Sequence, residues 1–90
     1  IFLGKNVWIG MNTMFICASH DIGNSKQRAG KIVYKPIKIE EGVGVEGSNY
    51  TTGVTIESGC VIGVGSIVTK NCEANGVYVG NPAKRVKNLQ

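Results

Sequence analysis

The chain has little of what usually builds a core or a metal site. Aromatic residues make up 7% of its 90 residues, with two prolines, one tryptophan and one histidine. Three cysteines, Cys17, Cys60 and Cys72, are odd in number and lack CxxC spacing, which argues against a disulfide framework and against a zinc ribbon. Reduced thiols are the simpler reading. No apolar run approaches the ~18 residues of a membrane span, and the N-terminus lacks the charged-then-apolar layout of a signal peptide. A protein without a membrane span, in the cytoplasm, is therefore expected. The first residue is not Met and already lies inside a repeat, so further sequence upstream is expected too. The formal charge is +4, yet the basic residues are scattered except for Lys84, Arg85 and Lys87. That is too sparse a footprint for nucleic acid.

What is abundant is glycine. Thirteen glycines would ordinarily mean loops, but here they recur with a period of six. The hexads are LGKNVW (3–8), IGMNTM (9–14), FICASH (15–20), IEEGVG (39–44), IESGCV (56–61), IGVGSI (62–67) and VTKNCE (68–73). Each opens on a bulky apolar residue and carries a small or β-branched one at its fifth place, with Gly, Asn, Lys and Glu between. Two inward places in six fit neither a helix nor simple alternation. Short strands joined by turns fit: glycine and asparagine supply positive φ, and β-branched residues favour the extended parts.

Three hexads per turn make a triangular coil, and leads three hexads apart then stack inside a prism. Between Ile39 and Ile56 the count is one short, at VEGSN (45–49), after which YTTGVT (50–55) restores the register. The predicted columns are Leu3/Ile39/Ile56, Ile9/Val45/Ile62 and Phe15/Tyr50/Val68. The last places the two aromatic leads on top of one another. Residues 21–38 break the period and are expected to form a long loop that arches over a site and touches a neighbouring subunit. A β-helix over 1–80, interrupted by that loop, and a basic tail over 81–90 complete the predicted organisation.

The hexads resemble the bacterial hexapeptide-repeat acyltransferases. The most specific match is VTIESGCVIGVGSIVTKNCEANGVYVGNPAKRVK (54–87); with FICASHD (15–21) and KPIKI (35–39) it looks most like the sugar O-acetyltransferase branch. That resemblance implies an all-β fold, a left-handed parallel β-helix of about three triangular coils. It also implies a homotrimer, acetyl-CoA lying between adjacent β-helices as acyl donor, and one catalytic histidine per site. Where the family's rung after the loop reads Val-Trp-Ile-Gly, this chain has Val43-Gly44-Val45-Glu46. Rungs that carry acceptor-binding residues in the sugar acetyltransferases lie outside the matched segment, so no acceptor is implied.

A lone histidine is ordinarily surface decoration, but His20 matches the family's Ser-His-Asp and so is implied as the general base. An imidazole, with an ordinary pKa of ~6.5, suits removal of a hydroxyl proton as oxygen attacks a thioester carbonyl. Asp21 is a weaker candidate to orient it, because adjacent residues rarely point at each other. Cys17 invites a covalent acyl-enzyme but sits at a turn-like third place, where a structural role is favoured. The resemblance puts Gly47, Gly63, Val64, Thr69 and Lys70 along the pantetheine arm, and Lys84 and Lys87, with Arg85 as alternate, at the CoA phosphates. Val61 and Ile67 are expected to face outward near Val77 and Tyr78, at a subunit interface. No metal is expected, and a carbonic anhydrase of this fold would need three histidines. A serine or other small-molecule acetyltransferase, and a non-catalytic assembly or regulatory β-helix, are the competing readings.

Overall fold

The computed structural model describes residues 1–90, which form thirteen short strands and no helix. The first coil contains β1 (Phe2–Leu3), β2 (Trp8–Ile9) and β3 (Met14–Phe15). After β4 (Ala18–Ile22) and β5 (Ala29–Tyr34), the second coil runs through β6 (Lys38–Ile39), β7 (Gly44–Val45) and β8 (Asn49–Tyr50). The third contains β9 (Thr55–Ile56), β10 (Val61–Ile62) and β11 (Ile67–Val68), and β12 (Gly76–Val79) and β13 (Lys84–Asn88) close the chain. Parallel sheets β1-β6-β9, β2-β7-β10-β12 and β3-β8-β11 form the three walls of a prism.

All three predicted columns are present. Leu3 pairs with Ile39 and Ile39 with Ile56; Ile9 pairs with Val45 and Val45 with Ile62. Phe15 pairs with Tyr50 and Tyr50 with Val68. The Phe15 and Tyr50 rings stack at 5.2 Å between centroids, worth ~0.5–1.5 kcal/mol beyond area burial.

The corners follow from residue type. Three places after each lead of the first column the backbone turns left-handed: Asn6, Gly42, Gly59 and Asn75 stack at the first corner with φ of 58°, 75°, 73° and 58°. Only glycine, and asparagine at modest cost, enters this region freely. Inside the second corner the fifth places form a hydroxyl column. Thr13 Oγ1 donates to the Gly10 carbonyl at 2.9 Å and Ser66 Oγ to the Gly63 carbonyl at 2.6 Å. In the short rung, Ser48 Oγ donates to the Glu46 carbonyl instead, two residues back, and lies 2.8 Å from the Tyr50 hydroxyl. At the first corner, Glu40 Oε1 accepts the Ser58 N–H and Glu57 Oε1 the Ala74 N–H, so these carboxylates tie one coil to the next.

Twelve apolar residues are buried, most of them leads and fifth places. Cys72 is one of them, and here the hexad count needs correction. Cys72 comes only four positions after Val68, and it bridges Ile56 and so is the fourth member of the first column rather than a fifth place. Tyr78 likewise pairs with Ile62 and closes the prism at 8% exposure, so it is not an outward neighbour of Val61, whereas Val77 is. Val61 is 41% exposed.

Burial pushes the Cys72 thiol up to about 12 and raises Cys60 as well. An unfolded thiol loses its proton near 8.5, so the stability these two contribute is whole below that pH. For Cys72 it is lost as pH rises towards 12, at up to ~1.4 kcal/mol per pH unit, and Cys60 acts in the same direction. Urea midpoints between pH 8 and 10.5 should therefore fall, and Cys72→Ala should flatten the slope. In the native protein iodoacetamide should label the half-buried Cys17 well before Cys60 or Cys72.

The expected loop 21–38 is instead mostly an antiparallel hairpin. β4 pairs with β5 as Ala18↔Tyr34, Ser19↔Val33, His20↔Ile32 and Ile22↔Ala29. Its tip is an Asx turn: Asn24 Oδ1 accepts the Lys26 and Gln27 N–H groups at 2.9 and 3.2 Å. The hexad period fails because the chain leaves the prism after Cys17, which packs against the core, and returns at the buried Ile37. Residues 84–88 also form a strand, β13, folded antiparallel onto β12.

Candidate active site

His20 stands on β4, where the hairpin projects from the third corner of the prism, between β3 and β6. Side chains directly opposite in an antiparallel pair share a face, as do residues two apart on one strand. His20 therefore shares its face with Ile32, Tyr34 and Ile22, the last two 74% and 88% exposed. The result is an imidazole set in an exposed apolar strip. Asp21, one residue on along the same strand, takes the opposite face and does not orient His20. Cys17 is half-buried against the core, as a structural cysteine would be, and its carbonyl accepts the Lys35 N–H at 3.0 Å.

The residues matched to the cofactor divide between two corners. Gly47, Gly63 and Val64 lie at the second, where the Gly47 carbonyl accepts the Gly65 N–H at 2.8 Å. A Cβ at Gly47 would come within 2.5 Å of the Met11 carbonyl oxygen, so this glycine is required by the close approach of two coils. Gly63 lies against Val79, whose Cγ1 would be 2.6 Å from an added Cβ, and Val79 pairs with Lys84. Val64 is 80% exposed beside them. Gly47, Gly63, Val64 and Lys84 thus come together along one edge. Thr69 and Lys70 lie exposed at the third corner, below the root of the His20 hairpin.

Lys87 pairs with Val77 and is exposed. Arg85, the alternate candidate for the phosphates, is already engaged. Its Nη1 donates to the Tyr78 hydroxyl and the Glu73 carbonyl, both at 3.0 Å, its Nη2 to the Ala74 and Asn75 carbonyls, both at 3.2 Å, and its Nε to Asn88 Oδ1 at 2.7 Å. The guanidinium closes the end of the prism, and the Tyr78 hydroxyl raises its pKa further. A loose basic tail would leave the last carbonyls of the coil open; this turn needs five donors in one plane, which only arginine carries. Residue type alone did not separate Arg85 from its lysine neighbours, because the return of the strand is set by contacts distant in sequence. No cluster of three His, Cys, Asp or Glu side chains is placed to hold a metal.

The chain was compared with known proteins. It is 36% identical over 83 residues to the galactoside O-acetyltransferase of Lactococcus lactis, a match spanning 91% of this chain and 40% of that protein. Among solved structures, a galactoside acetyltransferase in complex with coenzyme A superposes with a TM-score of 0.88 at 31% identity, over 98% of this chain and 44% of that one. A maltose O-acetyltransferase from Clostridium difficile 630 superposes with a TM-score of 0.84 at 32% identity, over 99% of this chain and 56% of that one. The chain belongs to the hexapeptide-repeat acyltransferase family. It falls in the sugar O-acetyltransferase-like branch, and its prism is the left-handed parallel β-helix of these acetyltransferases. No protein-family model matches the chain. The chain spans about half the length of the relatives it matches, at 40%, 44% and 56%. No helix is long and apolar enough to cross a membrane.

Proposed function

We propose that the protein is an acetyl-CoA-dependent O-acetyltransferase that moves an acetyl group directly to a hydroxyl of a sugar or polysaccharide precursor, with His20 as general base. The observation that carries this reading is the placing of the one imidazole of the chain on an exposed hairpin, in a family whose similar members are named for galactoside and maltose acetylation. The imidazole takes the acceptor's hydroxyl proton as its oxygen attacks the thioester carbonyl. The C–S bond then breaks, and the proton passes to the departing CoA sulfur. Lys84 and Lys87 suit the CoA phosphates as exposed ammonium charges. Gly47, Gly63, Val64, Thr69 and Lys70 line the path of the pantetheine arm in this reading.

The corners argue for a site shared between chains. His20 projects from the third corner while Gly47, Gly63 and Lys84 lie along the second, so one chain's base meets a neighbouring chain's cofactor edge in a closed three-fold assembly. A two-stranded hairpin is marginal alone in water, and the exposed Ile22 and Tyr34 gain cover from such a neighbour. Working in the cytoplasm accords with three unpaired cysteines. The test is acetyl-CoA turnover by the full-length protein against galactosides, maltose and serine. Sugar-dependent release of CoA is expected. Turnover with serine alone, or with none of the panel, overturns the acceptor class.

A further inference from the structure

Five of the thirteen glycines turn the chain at positive φ, and at seven others an added Cβ would come within 2.8 Å of a neighbouring atom. Gly44 alone has neither reason. Its backbone is outside the left-handed region, and a Cβ there would meet nothing within 4 Å. It stands on β7 beside the buried Val45, so it faces outward, directly between its pairing partners Trp8 and Val61. Glycine weakens a strand, and one that its own chain does not require marks a place where something else comes close. Trp8 is 68% exposed and Val61 41%, so the missing side chain leaves a notch with apolar walls on the outer face of the prism. An apolar occupant fits it.

Height along the prism indicates which one. Lys84 and Lys87 lie on β13, three steps from β7 in the sheet order β13-β12-β10-β7-β2. At ~4.8 Å per strand, β7 is ~14 Å away from them along the prism. The pantetheine arm has about twelve bonds between phosphate and sulfur, as many as the backbone of about four residues, and so extends ~14 Å. With the phosphates at the lysines, the thioester arrives at the height of β7, where Gly44 lies three residues before Gly47. The His20 hairpin leaves the prism between β3 and β6, as the first coil passes into the second, which is the height of Trp8 and Gly44. A three-fold rotation about an axis along the prisms preserves height, so a neighbour's imidazole arrives there too. Thioester, base and notch share one level, and the tail of the acyl group is the apolar part that needs a place.

We propose that the Gly44 notch receives the tail of the acyl group, so that the protein transfers propionyl and butyryl groups from CoA as well as acetyl. This rests on the acyl-CoA reading of the lysine edge given above. The chemistry balances as it does for acetyl: the acceptor oxygen bonds to the carbonyl carbon, the C–S bond breaks, and the hydroxyl proton ends on the CoA thiol. The longer tail lies between Trp8 and Val61, where no side chain of residue 44 excludes it.

The test is kcat/KM for acetyl-CoA and for butyryl-CoA in the full-length protein, with whichever of galactosides, maltose and serine it acylates. Butyryl-CoA should be used within about tenfold of acetyl-CoA. Gly44→Val fills the notch: butyryl transfer falls by about 10- to 200-fold, the discrimination that a methylene's worth of apolar space provides, while acetyl transfer changes by less than about threefold. Gly44→Ala gives a smaller fall in the same direction, and Trp8→Ala, which widens the notch, moves the preference towards butyryl. Because a β-branched residue suits an outward strand place, Gly44→Val should also unfold at a higher urea concentration than the parent. A lower midpoint would mean that the space is not open, and the proposal would fail. Acetyl transfer without butyryl transfer in the parent protein overturns the proposal and leaves the donor reading standing, whereas transfer from neither thioester overturns the donor reading and this proposal with it. Equal loss of both donors in Gly44→Val also overturns it, and if that variant dissociates, the notch seats a neighbouring chain instead.

Discussion

Replacing His20 by alanine lowers kcat for acetyl transfer by about 100- to 10,000-fold in the full-length protein, the range over which a positioned general base contributes. The KM for acetyl-CoA should stay within about twofold, because the lysines suited to the CoA phosphates, Lys84 and Lys87, lie on β13, away from the hairpin that carries His20. A loss of less than tenfold would remove His20 from the chemistry. Residual turnover is expected, since holding acceptor and thioester together contributes independently of the base. Lys84→Ala should do the reverse, weakening acyl-CoA binding while sparing the step that follows it. Should His20→Ala lose acetyl-CoA binding while Lys84→Ala retains it, the two roles would have to be exchanged. His20→Ile is a useful companion: it extends the apolar strip of Ile22, Ile32 and Tyr34, so lost activity in a folded variant points to the imidazole and not to the hairpin's packing.

The prism was readable from residue order because its walls obey a local rule. Each lead, each positive-φ corner and each fifth place recurs at a spacing set by backbone geometry, and even the short rung declared itself, since only a five-residue count stacks Phe15 on Tyr50. The rule failed wherever the chain leaves the prism or ends it. Residues 21–38 lost the period, and loss of period does not distinguish a loop from an antiparallel hairpin; pairing such as His20↔Ile32 had to be seen. Cys72 was misplaced by the same arithmetic, because the rung after Val68 is two residues short and nothing in its composition marks that. The residues expected at the cofactor are placed in different ways. Gly47 matches a binding position, yet its lack of a side chain is already demanded by the Met11 carbonyl. Arg85, one residue from Lys84, belongs to the closure of the prism instead. Chemical type could suggest which side chains suit phosphate, but only the pairing of β13 with β12 and the hydrogen bonds that hold Arg85 show which of three neighbouring cations remain free to do so.

Tyr50→Ala should be the most damaging single change to the fold. Tyr50 is fully buried at the centre of the third column, between Phe15 and Val68, with its hydroxyl bonded to Ser48 Oγ. Truncating a buried aromatic side chain costs about 3–5 kcal/mol through lost transfer energy and the cavity left behind. A domain of this length has ~5–15 kcal/mol in all, so the variant loses a fifth or more of its stability. The neighbours cannot close the gap, because the coils above and below are held in register by backbone hydrogen bonds such as Ile16 N–H to the Tyr50 carbonyl and Thr51 N–H to the Val68 carbonyl. Tyr50→Phe isolates the polar part of the effect. It keeps the volume and the stack on Phe15, and Ser48 Oγ still donates to the Glu46 carbonyl, so the cost should be near 1 kcal/mol. Phe15→Ala should fall between the two, since Phe15 is only partly buried. Urea unfolding with unchanged slope gives all three values. A Tyr50→Ala cost below about 1.5 kcal/mol would mean that the prism relaxes around the cavity, and that the one-residue deletion at Val45–Asn49 leaves the second coil softer than its neighbours.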